Sequence, residues 1–277
     1  MLTVVSGVPA SWFLATAFFY GLIIGSFLNV VIYRFHTGKS LSGHSHCLSC
    51  GTRLRWFELF PLFSYLGLRG RCSSCGSYIP SRYFLVELGT GILFVLAAAK
   101  AHSLLQLLYF WSMLCVCVVV VVYDIRHFII PDSLTMLLTA GALLWVLGQW
   151  HAGATPKMLL ITVLAALGGV LFFYLLWFVS KGQWIGFGDV KLAFPLGLMV
   201  GPMFVFSMIV FSFWIGAVIS LCLVGLSKLQ RGKLSLRLGL RNLTIKSVVP
   251  FAPFLITGCL FTLFTELDVL TLFTFIY

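Results

Sequence analysis

The sequence predicts an all-α polytopic membrane protein of about eight transmembrane helices, with one large polar loop between the first and the second. Three observations predict it. Hydrophobic residues fill 61% of the 277 positions and charged residues 9%, against about 25% charged in a soluble domain, so there is too little polar surface to cover a soluble core. Apolar runs of helix-spanning length, roughly 20 residues each, recur along the chain. Lysine and arginine collect in alternate loops, the pattern that orients helices across a bilayer.

Eight segments carry this reading, at about 11–34, 82–99, 104–123, 133–150, 158–180, 189–200, 203–227 and 248–273. Glycine and proline within them are compatible with helix, because neighbouring helices re-satisfy the freed backbone groups. With the 35–81 loop in the cytoplasm and strict alternation after it, all of the 18 Lys and Arg except Lys100 and Lys157 fall on the cytoplasmic side, and both termini lie outside. The opposite orientation inverts that bias. The net charge of +11 is therefore an orientation signal first. Its second role is attraction to anionic membrane lipid, at about 1 kcal/mol per well-placed basic residue; nothing calls for nucleic acid. The first segment does not read as a signal peptide, because its first positive charge, Arg34, follows the apolar run. The basic stretch 228–246 is too short and too leucine-rich for a domain and is expected along the membrane surface.

The 35–81 loop carries Cys47 and Cys50, then Cys72 and Cys75 after a gap of 21 residues, and each pair is followed directly by glycine. Two CxxC pairs at this spacing, on the reducing side of a membrane, predict a closed tetrahedral zinc site. Zinc would replace the hydrophobic core that so short a loop cannot build, contributing about 10–16 kcal/mol in small zinc modules. Two disulfides or a redox dithiol are the other uses of the pattern, and a cytoplasmic location disfavours disulfides. His44 and His46 are alternative ligands. Four thiolates leave no open position and the chain has no HExxH, so the expected role is structural. Cys115, Cys117, Cys222 and Cys259 lie in apolar segments and read as packing residues.

The chain has seven acidic residues. Glu266 and Asp268 fall near the outer end of the last segment, Glu58 in the cysteine loop, and Glu87 inside the second segment, where it is expected to pair with Arg82 or to snorkel to the interface. Asp132 follows Pro131 and reads as a helix N-cap. Asp124 ends the third segment and Asp189 begins the sixth, both at the cytoplasmic boundary. A carboxylate inside a bilayer costs about 2.5–3.5 kcal/mol on insertion scales, so two on one face suggest a pair. Such a pair can hydrolyse a peptide: one carboxylate takes a proton from water and the other donates to the carbonyl. Helix dipoles favour Asp189 as base and Asp124 as acid. Gly186 and Gly188, flanking Phe187, would let an extended substrate strand approach the aspartate.

These residues resemble the bacterial prepilin peptidases, or type IV leader peptidases, within the GxGD membrane aspartyl proteases. The resemblance runs the length of the chain in order: GSFLNVVIYR (25–34), the paired CxxC loop with WFELFPLFSYLGLRGRC (56–72), SRYFLVEL (81–88), DIRHFIIPD (124–132), GFGDVKL (186–192) and PFAPFL (250–255). Ala252 departs from the glycine common at its position. The resemblance implies that Asp124 and Asp189 are the catalytic pair and that Asp132 is not part of it. It implies cleavage of the basic leader of type IV prepilins or pseudopilins after a glycine, at the cytoplasmic face of the bacterial inner membrane. It further implies N-methylation of the new terminus with S-adenosylmethionine, a step associated with the N-terminal part, for which Gly70 and Glu58 are the candidates here. The chain then divides into a first transmembrane helix (1–34), a cytoplasmic four-cysteine zinc loop (35–81) and a transmembrane aspartyl peptidase core (82–277). The competing readings are a proton-coupled membrane transporter with a zinc-stabilised loop and a thiol redox protein using its CxxC pairs.

Overall fold

The computed structural model describes residues 9–38, 40, 42–229 and 249–274. Among the described residues all regular structure is helical, and the only β-pairing consists of two isolated bridges in the cysteine loop. Helix α1 spans Ala10–Arg34. The loop after it contains a 3₁₀ turn at Trp56–Leu59 and the one-turn helix α2 (Phe63–Gly67). Then follow α3 (Arg82–Lys100), α4 (Leu104–His127), α5 (Asp132–His151), α6 (Pro156–Val179), α7 (Phe187–Val200), α8 (Val205–Leu229), α9 (Ala252–Thr265) and α10 (Val269–Thr274). Helices α1, α3, α4, α5, α6 and α8 are long and apolar enough to cross a membrane.

The two remaining predicted segments form shorter helices. Helix α7 has 14 residues, about 21 Å at 1.5 Å per residue, against a hydrocarbon core of about 30 Å. It stops at Gly201, whose φ of +82° turns the chain out of the helix. The predicted 248–273 segment breaks into α9 and α10 at Glu266, which is left-handed with φ +54°. Ser207 on α8 holds that break: its hydroxyl donates to Asp268 Oδ1 at 2.7 Å and accepts from the Val269 N–H at 3.0 Å. Of the basic stretch 228–246, everything beyond Leu229 lies outside the described residues.

The chain forms two compact units, residues 1–122 and 123–277. The first is built on α1 against α3. Gly21 and Gly25 lie one turn apart on α1. A Cβ on Gly21 would come within 2.8 Å of Phe94 Cβ, and one on Gly25 within 2.8 Å of the Glu87 Cα. Small residues of this kind let membrane helices approach closely, where lipid supplies no hydrophobic force between them. Leu22, Leu28 and Ile32 of α1 and Val86, Phe94 and Ala97 of α3 are buried beside the crossing. Phe94 also stacks on Trp111 at 4.9 Å between ring centroids.

Polar contacts tie α1 to α3 and the cysteine loop to α3. Asn29 on α1, 8% exposed, donates to the Tyr83 carbonyl at 3.0 Å. Glu87 on α3 accepts the Leu62 N–H at 2.9 Å. Its partner is thus the loop backbone, rather than Arg82 or the interface. The geometry explains the choice: Leu62 sits at φ +60° ahead of α2, and its N–H points at the helix.

In the second unit α7 is the central helix, enclosed by α5, α6, α8 and α9. Leu192, Ala193 and Leu196 have no exposed surface. Gly197 lets α6 close in, since a Cβ there would meet the Ala166 Cα at 3.0 Å. Beyond its start most of this helix is buried, while Phe187 and Lys191 near that start are exposed, so its N-terminus, with unpaired N–H groups, lies where the buried interior meets the surface.

Gly25→Val should lower the stability of the full chain by about 1–3 kcal/mol, the usual cost of overpacking. Gly89→Ala on α3, where a Cβ meets nothing within 4 Å, should leave it unchanged. Thermal unfolding of both variants in detergent checks this, and equal losses would contradict the close crossing.

Candidate active site

Asp124 and Asp189 are buried in the second unit, 5% and 6% exposed. They come together from α4 and α7, near enough for the charge of one to act on the other. Each is held by a backbone donor at a helix N-terminus. Asp189 is the third residue of α7, and its Oδ2 accepts the N–H of Gly186, the N-cap, at 3.2 Å. This is the return half of a capping box; Gly186 has no side chain to supply the other half. Asp124, in the last turn of α4, is hydrogen-bonded by the Ala252 N–H at the first turn of α9. The other oxygen of Asp189, Oδ1, is buried with no hydrogen-bond partner among the described residues.

Two parts of this arrangement differ from the expectations. The helix-dipole argument placed only Asp189 at a positive helix end, yet Asp124 faces the start of α9, so the dipoles do not separate acid from base. The donor, Ala252, was noted in the sequence only as a departure from a motif. The signal that could have found it is Pro250 with Pro253, which mark the start of a helix and hence free N–H groups nearby.

Gly188 also has a different neighbour from the expected substrate strand. It lies in the first turn of α7, and a Cβ there would meet Ile130 Cβ, Cδ1 and Cγ1 at 3.1, 3.2 and 3.3 Å. The space it clears is taken by the loop that follows α4. Gly186 faces the carboxylate: its Cβ position is 3.4 Å from Asp189 Oδ2. Asp132 is the first residue of α5, with Pro131 as the N-cap, and its side chain makes no capping bond. It instead accepts a hydrogen bond from Lys191 Nζ at 2.8 Å. That ammonium also lies 5.2 Å from the centroid of Phe187, whose other ring contact is Trp177 at 5.1 Å. Asp132, Lys191 and Phe187 thus fasten the first turns of α5 and α7 beside the buried pair.

The second cluster lies in the first unit. The sulfurs of Cys47, Cys50, Cys72 and Cys75 all fall within 4.8 Å of one another and could hold a metal ion. His44 and His46 are not part of the group. Each CxxC is a tight knuckle of the same form. Gly51 N–H bonds to the Cys47 carbonyl and Gly76 N–H to the Cys72 carbonyl, both at 2.9 Å, and the two glycines have φ of +72° and +69°. That left-handed turn is open to glycine at little cost. The bridges His46 to Arg53 and Arg71 to Tyr78 close the two knuckles. Backbone N–H groups of Cys50 and then Ser49, with the Ser77 hydroxyl, pull the Cys47 thiol down to about 6, so it favours the thiolate that a metal requires.

Glu58 joins the two halves of this loop. It accepts the Arg55 N–H at 2.7 Å and the hydroxyl of Ser73, between the second pair of cysteines. These contacts, the Arg55 N–H first, hold its carboxyl below the usual range. Gly70 is at φ +67°, packs on Tyr65 and donates to the Tyr65 carbonyl at 2.9 Å. It shapes the exit from α2.

A multi-pass helical membrane protein with a buried aspartate pair and a four-thiol loop is a narrow class, and comparison with known proteins defines it further. The bacterial peptidase A24 N-terminal domain matches residues 19–101, and the type IV leader peptidase family matches residues 111–221. The chain is 33% identical to a prepilin leader peptidase/N-methyltransferase of Myxococcus xanthus (strain DK1622), over 75% of this chain and 62% of that protein. It is 30% identical to one from Burkholderia pseudomallei (strain 1026b), over 95% of this chain and 89% of that protein. It is 35% identical to one from Dickeya chrysanthemi, over 70% and 76%. No solved structure matches. The chain belongs to the type IV leader peptidase family.

Gly188→Ala should lower the thermal unfolding temperature more than Gly186→Ala, because only the first pushes on Ile130. Ile130→Ala, placed in the Gly188→Ala chain, removes two of the three close atoms and should restore part of the loss. No recovery in the double variant would show that Gly188 is required for another reason.

Proposed function

We propose that this chain cleaves the leader peptide of type IV prepilins or pseudopilins by aspartyl-pair hydrolysis and then N-methylates the new terminus. The observation that supports cleavage best is the meeting of Asp124 and Asp189 in one buried site of a chain that belongs to this family. The charge of Asp124 acts on Asp189, and neighbouring carboxyls of this kind favour one ionised and one protonated member. The ionised one takes a proton from water as the water oxygen attacks the scissile carbonyl; the protonated one donates to the carbonyl oxygen. Asp189 Oδ1, buried without a partner, supplies an acceptor for the water. Collapse of the tetrahedral carbon then breaks the carbon–nitrogen bond, and the amine leaves with a proton from the pair.

The names of the relatives, prepilin leader peptidase/N-methyltransferase, support both the substrate and the second step, with S-adenosylmethionine as methyl donor. The Lys and Arg bias supports an inner-membrane enzyme with its cysteine loop and aspartates at the cytoplasmic face. A substrate with an apolar helix behind its leader can reach that face laterally from lipid.

The four cysteines fit structural zinc. A tetrahedral ion with bonds of about 2.3 Å places its sulfurs about 3.8 Å apart, and Cys47 and Cys75 lie 3.9 Å apart before any ion is added. Zinc would tie the two knuckles together and leave no position for catalysis.

Asp124→Asn and Asp189→Asn should each abolish leader cleavage, measured by product mass, with membrane insertion intact. Asp132→Asn should keep the rate within about tenfold of the parent, because an ion pair this exposed contributes about 0–1 kcal/mol. An inactive Asp132→Asn beside an active Asp124→Asn would refute the pair. For the loop, purified protein should carry about one zinc per chain, and Cys47→Ser with Cys72→Ser should lose it. Full zinc content in that double variant, by metal analysis, would refute the site.

A further inference from the structure

The methyl transfer proposed above needs a place for its donor, and the first unit contains a cavity suited to it. A half-enclosed space of about 220 Å³ lies between α1, the start of α3 and the cysteine loop. Asn29 and Tyr33 of α1, Tyr83 and Glu87 of α3, and Glu58 and Tyr65 of the loop line it. In a chain with 18 basic and seven acidic residues, two carboxylates on one cavity, with Arg34 of α1 as the guanidinium facing it, fit a ligand that carries both a cationic centre and a carboxylate. Four tyrosines line it, Tyr33 on α1, Tyr83 on α3, and Tyr65 and Tyr78 in the loop, and such rings have faces that attract a cation and accommodate a flat ring.

Hydrogen bonds tie the walls of the cavity together. Asn29 is fixed to the Tyr83 carbonyl, Glu87 to the Leu62 N–H, Glu58 to the Arg55 N–H and Ser73, and Tyr65 donates to the Ile79 carbonyl at 3.4 Å. Each tie joins two of the cavity's three walls or braces the loop itself. The loop thereby acts as the roof of a preformed pocket, the usual condition for a small-molecule site. This also accounts for Glu58 and Glu87, which the aspartate site does not use.

We infer that this cavity binds S-adenosylmethionine, with its sulfonium against Glu87 and Glu58 and its adenosine among the tyrosines. The inference rests on the methylation proposed above. In the transfer, the pilin terminal ammonium first gives one proton to solvent. Its nitrogen pair then bonds to the methyl carbon as the carbon–sulfur bond breaks, and that bond's electron pair stays on sulfur. The positive charge passes from sulfur to the methylated nitrogen. A site built for a sulfonium holds the neutral thioether product less tightly, because the carboxylates lose their partner.

The test uses the full-length, zinc-loaded protein and two variants. Glu87→Gln keeps an acceptor for the Leu62 N–H and removes the charge. Val30→Phe, also at the cavity, adds bulk without removing a hydrogen bond. Equilibrium dialysis with labelled S-adenosylmethionine measures donor binding directly, and leader cleavage with zinc content reports on the fold. Each variant should bind the donor at least about tenfold more weakly, a factor equal to losing one modest charge contact, while cleavage and zinc stay at parent level. Parent-like donor binding in both variants would overturn the assignment. So would unchanged donor binding with a raised KM for the cleaved pilin, which would give the cavity to the pilin amine instead. If the parent itself binds no donor and leaves its product unmethylated, the methylation reading fails, and that result is distinct from either variant outcome.

Discussion

Two buried carboxylates in an apolar protein must be held by donors that the fold itself provides, and the second unit is arranged around that need. Burying a carboxylate costs several kcal/mol unless it is paired or hydrogen-bonded. Free N–H groups at helix starts are the donors a helical protein can offer without adding charge. Asp189 takes one from the start of its own helix, through Gly186. Asp124 takes one from the start of α9, through Ala252. Both solutions place a helix start beside a carboxylate, and the two helices that supply them, α7 and α9, have 14 residues each.

Close helix packing follows from the same apolar setting. Lipid tails are as apolar as leucine, so helices in a membrane associate through close fit and polar ties. Gly21 and Gly25 let α1 reach α3, Gly197 lets α6 reach α7, and Gly188 admits Ile130. At each of these places a Cβ would meet atoms at 2.8–3.1 Å. The polar ties are few and each has a definite use: Asn29 to Tyr83, Ser207 to Asp268 and Asp132 to Lys191.

The acidic residues are spent with the same economy. Glu58 and Glu87 brace the cysteine loop and line its cavity. Asp124 and Asp189 form the buried pair. Asp132 and Asp268 fix the ends of α5 and α10 to neighbouring helices. In a basic chain, each carboxylate placed at a junction gains a local partner and leaves the overall charge bias of the loops intact.

Much of this protein was legible in the amino-acid order. Apolar runs mark every helix of spanning length, because the bilayer demands about 20 residues and leaves that length in the sequence. The CxxC spacing marks the thiol cluster, because four ligands for one ion must come from two tight turns. The rarity of acidic residues singles out Asp124 and Asp189, and the ordered motifs indicate the family. The tertiary structure decided which groups meet. Ala252 beside Asp124, Ile130 against Gly188, Lys191 on Asp132 and Leu62 on Glu87 pair residues that are not neighbours in the chain. Hydrophobic periodicity is a local property and carries no record of which helix lies next to which. The short length of α7 was legible in the segment 189–200, whereas the break of 248–273 into α9 and α10 was obscured, since an apolar run that ends inside the protein reads the same as one that ends at the lipid surface.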